Sequence, residues 1–119
     1  MPAYALAHLA EAAPTPEVLE YIERIQETLD PFGGRFLVHG GTVEVREGSW
    51  EGPLVIIGFP DMERARGWYD SPAYRAILPL RTRHIGGDVI LVEGVAPGYE
   101  AAATARQLRE AAAADVPAT

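Results

Sequence analysis

Leu54-Val55-Ile56-Ile57-Gly58-Phe59, followed at once by Pro60-Asp61, decides the fold. A run this apolar reads as a central strand covered on both faces. Pro60 ends it, and Asp61 is a helix cap whose carboxylate can accept from the first free backbone N–H groups. The helix beyond it directs Met62, Ala65, Trp68 and Tyr69 inward. Ser71-Pro72 repeats the cap-plus-proline signal, so a new helical segment begins there with Tyr74, Ile77 and Leu78, and Pro79 limits it.

Upstream of this unit, Arg35 to His39 reads as a strand that Gly40-Gly41 interrupts with a bulge or sharp bend. Thr42 to Glu47 continues it with alternating polarity, and Gly48 to Pro53 is a loop holding Trp50. Before these, Thr15 caps a helix with Pro16 at its first position and Glu17 at the positive end of its dipole. Val18, Ile22, Ile25 and Leu29 form its apolar stripe, and Pro31 and Gly33-Gly34 stop it. The chain opens with a strand from Ala3 to Leu9. There Tyr4, Leu6 and His8 share one face, and Ala5, Ala7 and Leu9 take the other. Downstream, Gly86-Gly87 turns the chain into a last strand, Asp88 to Val95.

The order strand, helix, two strands, helix, strand predicts an α+β, ferredoxin-like βαββαβ domain with an antiparallel sheet over residues 1–96. Residues 97–119 differ in kind. An alanine-rich run from Tyr99 to Ala114 predicts a peripheral helix, and Asp115 to Thr119 a disordered tail. Two helices cover only one face of a four-stranded sheet, so the bare face needs a homodimeric partner or the C-terminal segment folded across it.

The chain has 17 acidic against 10 basic residues and a formal net charge of −7. That field repels phosphate backbones and anionic lipid, so neither nucleic acid nor membrane is an expected partner. No cysteine is present, which removes disulfides, thiolate metal ligands and a cysteine nucleophile. With no basic n-region before an apolar stretch at Met1 and no membrane-length segment, the expected location is cytoplasmic.

Several short motifs occur in one order: Gly33-Gly34-Arg35-Phe36-Leu37, Gly40-Gly41, Glu47-Gly48-Ser49-Trp50, Phe59-Pro60, Trp68-Tyr69-Asp70-Ser71-Pro72-Ala73-Tyr74 and Val92-Glu93-Gly94. Together they resemble the DUF1330 family of the dimeric α+β barrel superfamily, over about the first four-fifths of the chain. The resemblance implies a ferredoxin-like protomer whose sheet pairs with a partner's sheet to form a dimeric α/β barrel. It implies no particular activity. The wider superfamily holds cofactor-free monooxygenases, muconolactone isomerase-like enzymes, polyketide cyclases and haem-dependent enzymes. Members commonly carry an arginine where this chain has His39, which bears on any anion held there.

Strand parity supplies candidates for chemistry. Arg35, Leu37 and His39 share a face, as do Tyr4, Leu6 and His8, and also Val89, Leu91 and Glu93. If those faces coincide away from the helices, His8, Arg35, His39 and Glu93 converge. His39 then serves as general base, since imidazole titrates near neutral pH, and Arg35 steadies an oxyanion. Trp50, Tyr74 and Tyr69 would line the pocket with His8 and Glu93. The competing reading makes His8 and Glu93 solvated strand-end residues, Arg35 a surface ion-pair member and Trp68 a core anchor. No histidine pair has metal-site spacing, so no metal is expected. No phosphate-binding loop or serine elbow occurs either. The leading expectation is a small-molecule protein, a cofactor-independent enzyme acting by proton transfer on a compact, partly apolar, oxyanion-bearing metabolite. The alternatives are a non-catalytic ligand-binding or interaction protein and a haem or iron protein.

Overall fold

The computed structural model describes residues 1–114 and places four strands and four α-helices in them. They are β1 (Ala3–Leu9), α1 (Pro16–Leu29), a 3-10 turn (Asp30–Phe32), β2 (Arg35–His39), β3 (Leu54–Phe59), α2 (Met62–Tyr69), α3 (Pro72–Thr82), β4 (Gly87–Glu93) and α4 (Ala101–Ala114). The strands form one antiparallel sheet in the order β2-β3-β1-β4. This is the expected α+β, ferredoxin-like arrangement. The three predicted caps are present. Thr15 accepts from the Val18 N–H, Asp61 from the Arg64 N–H and Ser71 from the Tyr74 N–H.

Three local expectations are corrected. Residues 42–47 form no strand; the chain leaves the sheet at Gly40, whose φ of 72° turns it away. Pro79 lies inside α3 instead of ending it. Proline removes one intrahelical donor, but Ile77 and Arg81 on either side are buried and hold the helix together across it. The last strand ends at Glu93, two residues before Val95.

A fourth correction concerns β2. Arg35 pairs with Gly58 and Phe36 with Ile57, but Val38 then pairs with Ile56 and His39 with Val55. Leu37 is therefore an extra residue, a β-bulge, and it reverses the parity of the rest of the strand. Gly58 opposite makes room for it: a Cβ there would come within 3.0 Å of the Leu37 side chain. Arg35 shares a register row with Gly58 and Tyr4, whereas His39 shares one with Val55 and Ala7. The two side chains stand on opposite faces, about 10 Å apart along the strand, since their partners Gly58 and Val55 are three rows apart at roughly 3.3 Å each.

Helices α1, α2 and α3 pack on the face that carries Ala3, Ala5, Phe36, Ile57 and Phe59. Ala3, Ala5, Ile57 and Phe59 are buried there with Leu29, Ala65, Trp68, Tyr74 and Ile77. Trp68 is the core anchor: its indole N–H donates to Thr28 Oγ1 at 3.0 Å, so its burial leaves no polar group unpaired. The opposite face is bare within the protomer. Leu37, Ile90 and Val92 are 46%, 55% and 41% exposed on it. Helix α4 does not cover that face, since none of its residues is buried. The radius of gyration of 18.4 Å exceeds the roughly 13 Å typical of a compact domain of this length, because α4 projects from the body. The predicted disordered tail at 115–119 lies outside the described residues.

The turn from α1 into β2 is tightly built. Gly33 has φ 69°, and a Cβ on Gly34 would lie 2.7 Å from the Phe59 ring and 2.8 Å from Leu29. Gly34→Ala should therefore destabilise the fold by about 1–3 kcal/mol through overpacking, measured by urea unfolding. Unchanged stability would show that the core yields there.

Candidate functional site

The candidate site begins with the small residues of β1. Alanines at 5 and 7 face the helices and leave space beneath α1 and α3, with Leu9 also in the lining. The result is a cavity of about 220 Å³ between the sheet and these two helices. Its floor is Ala5, Ala7, Val55 and Ile57, and Val18 and Ile25 of α1 are among the residues above it. Ile22, placed in the α1 stripe by the sequence, is 43% exposed and stands at the edge of this cavity. Tyr21 takes the buried position instead.

Four polar side chains reach this otherwise apolar space: Tyr21, Tyr74, Arg81 and His39. The Tyr21 and Tyr74 hydroxyls hydrogen-bond at 2.8 Å. Arg81 is 6% exposed, with its guanidinium carbon 5.6 Å from the centre of the Tyr21 ring. Burial, and after it the adjacent Tyr21 hydroxyl, push the Tyr74 phenol well above the ordinary tyrosine range, against a smaller opposing pull from Arg81. Burial by itself would lower Arg81, but the facing Tyr21 and Tyr74 oxygens outweigh it and hold it above its usual value. At neutral pH the cluster thus consists of a neutral Tyr74 hydroxyl and a charged guanidinium.

His39 reaches the same cavity from the sheet side because the Leu37 bulge turns it inward. Its ring stacks on Phe36, with centroids 4.4 Å apart and planes 12° from parallel. It is exposed to solvent as well as lining the cavity, so it stands at the rim beside Gly40 and Pro53. That position lets an imidazole exchange a proton between a bound molecule and water.

The expected convergence of His8, Arg35, His39 and Glu93 does not occur. Arg35 lines a separate shallow groove with Tyr4, Leu37 and Pro60 on the bare face. It makes no ion pair among the described residues. His8 is on that face too, but at the other end of β1, where it stacks on Trp50 at 4.1 Å and its Nε2–H donates to the Glu51 carbonyl. Trp50 is thus tied to His8 and does not line the main cavity. Glu93 pairs with Ala3, which puts it on the helix side at the far end from His39, exposed to solvent. Tyr69 packs against Trp68 and Tyr74 with the Arg75 guanidinium 4.7 Å above its ring, behind the cavity wall. Of the residues predicted to meet a ligand, Tyr74 and His39 line this cavity. Among the described residues, no three His, Asp or Glu side chains come together as a metal site. No helix there is long and apolar enough to cross a membrane.

Tyr21 and Arg81 are the residues that pattern reading misses. Arg81 follows Tyr74 and Ile77 at i+7 and i+4, the spacing of one helix face. An arginine on an apolar stripe was the available signal.

Residues 2–95 match the sequence profile of DUF1330, a domain of unknown function. No curated protein matches the chain. Among solved structures, the methylated RPA0582 protein aligns with a TM-score of 0.60 at 18% identity, over 82% of this chain and 84% of that one. A second structure of RPA0582, a protein of unknown function from Rhodopseudomonas palustris, gives 0.56 at 16% identity, over 81% and 84%. SnoaB, a cofactor-independent oxygenase from Streptomyces nogalater, gives 0.55 at 13% identity, over 83% and 98%. At these identities the likeness is one of fold.

The raised Tyr74 value makes stability depend on alkaline pH. Its folded value lies above the unfolded one, near 10. Its contribution is therefore whole below about pH 10 and is lost as pH rises from there toward the folded value. All ten basic side chains are arginine, so no lysine titrates in that window. Thermal unfolding from pH 8 to 11.5 should show a steeper fall for the wild type than for Tyr74→Phe; parallel curves would mean that Tyr74 ionises as an ordinary tyrosine.

Proposed function

We propose that this chain, which belongs to the DUF1330 family, binds a compact and mostly apolar small molecule between its sheet and helices α1 and α3. The observation that carries the reading is the cavity itself. An apolar void of about 220 Å³ is larger than the engineered void of ~150 Å³ that admits benzene, and smaller than the usual pocket for a drug-sized ligand. A well-packed core has no reason to leave such a space empty. His39 at the rim is the group that would exchange a proton with the bound molecule, so the chemistry it favours is cofactor-independent proton transfer. The fold it shares with SnoaB is compatible with that class of reaction and does not choose among its members.

Filling the floor tests the binding reading directly. Toluene should raise the melting temperature of the wild type and leave Ala7→Phe unaffected, because the new ring occupies the void. A toluene response that survives in Ala7→Phe would place binding elsewhere and sink the reading. His39→Gln should keep the toluene response while reducing any turnover found with a screened metabolite by roughly 100-fold, the lower range for a general acid–base group.

The bare sheet face supports a second part of the proposal, a homodimer built by pairing two such faces. Ile90, Val92 and Leu37 lie exposed there, and α4 projects away instead of sheltering them. Sedimentation at micromolar concentration should report a dimer for the wild type and a monomer for Ile90→Asp, which would bury a carboxylate in an apolar contact. A wild-type monomer would refute the assembly without touching the cavity.

A further inference from the structure

We infer that the natural occupant of the cavity is a one-ring organic monoanion, its charged oxygen held by Arg81 beside the Tyr21 and Tyr74 hydroxyls. This rests on the cavity reading above and specifies its ligand. The first support is a buried charge with no counter-ion. Every arginine ion pair among the described residues lies on the surface: Arg24, Arg46, Arg64, Arg75 and Arg83 each meet a carboxylate there. Arg81, buried where those are exposed, meets no carboxylate among the described residues. Its guanidinium donates to the Ile85 carbonyl at 3.5 Å, a neutral acceptor at the limit of reach. The partners facing Arg81 are thus neutral, the two phenol oxygens and one carbonyl, and an anion entering the cavity would supply the counter-ion that its wall lacks.

The second support is the composition of the wall. The chain carries 17 acidic residues, yet no Asp or Glu among the described residues lines the cavity. Its interior is cationic inside a protein of negative net charge. A cation would be repelled there, and a neutral hydrocarbon would leave Arg81 without a counter-ion. A phosphate dianion would bring a second charge for which the cavity wall holds no further guanidinium.

The third support is a count of protons. Each phenol has one O–H. In the Tyr21–Tyr74 pair at 2.8 Å one proton is used between the two oxygens, and the other remains to be donated. With the five N–H donors of Arg81 alongside, the cluster offers donors to an oxyanion. The volume limits the rest of the molecule to roughly one ring with a short substituent, on the scale set by benzene in a ~150 Å³ void. The class is therefore an aryl or alicyclic carboxylate, or a phenolate or enolate of that size.

The test compares three probes of one size, toluene, benzamide and benzoate, by calorimetric titration of the wild type and variants. Benzoate should bind the wild type about 10- to 100-fold more tightly than benzamide, the range of a charge-assisted hydrogen bond. Arg81→Gln should erase that preference while toluene binding persists. Tyr74→Phe, which keeps the ring and removes the hydroxyl, should weaken benzoate several-fold and leave toluene unchanged; it decides the matter if Arg81→Gln fails to fold. An arginine that only caps the end of α3 would behave differently: Arg81→Gln would lower the melting temperature with the benzoate-to-benzamide ratio intact, and the inference would be overturned. Toluene binding without a benzoate preference would overturn it too, with the cavity reading left standing. Benzoate binding that persists in Ala7→Phe would place the anion on the surface and likewise refute the inference. If none of the three probes binds, the cavity reading itself falls and this inference with it.

Discussion

The structure depends on the unequal faces of its central strand. In β1, alanine alternates with larger residues, so the side toward the helices is shallow and the side away from them is filled by Tyr4, Leu6 and His8. A strand of this kind cannot fill the volume under α1 and α3, and α3 is held in place by the core that its Tyr74 and Ile77 share with Trp68 of α2. A void is the geometric remainder. The same alternation sends the larger side chains of β1 to the face that the core helices leave bare. One sequence pattern thereby produces both an internal compartment and a surface in need of cover.

Much of the fold was legible because its boundaries are written in local chemistry. Thr15-Pro16, Asp61 and Ser71-Pro72 announce helix starts through side-chain oxygens that accept from backbone N–H groups, and the interactions are local enough to read in isolation. The strand at Leu54–Phe59 declares itself by composition. What could not be read was anything set by two chain segments together. The bulge at Leu37 exists because Gly58, on another strand, leaves space opposite it. A parity argument confined to β2 therefore puts His39 on the wrong face.

The site was legible in part, and its omissions have one root. Taking Pro79 as the end of α3 removes Arg81 from the helix and so from the stripe begun by Tyr74 and Ile77. Without Arg81, the reading of an arginine beside His39 falls on Arg35, which strand parity places on the same face. Tyr21 is lost similarly: Val18, Ile22, Ile25 and Leu29 make a more apolar stripe than the buried set of Val18, Tyr21, Ile25, Thr28 and Leu29. Hydrophobicity ranks Ile22 above Tyr21, whereas burial depends on the direction of the partner surface. Here that surface offers hydroxyl and guanidinium groups to a phenol. Polar residues within a helix stripe are thus the ones that pattern reading discards and that a pocket retains.

The extra residue in β2 also makes the strand sensitive to its own length. Losing one residue between Phe36 and Gly40 would restore simple alternation, and whatever occupied the place of His39 would swing from the cavity rim to the outer sheet surface. A side chain that lines the cavity would become part of the bare face, with no change in its identity. Comparisons of relatives column by column would miss such a switch. Counting residues from the Gly33-Gly34 turn to the Gly40-Gly41 pair shows which compartment each homologue assigns to that position.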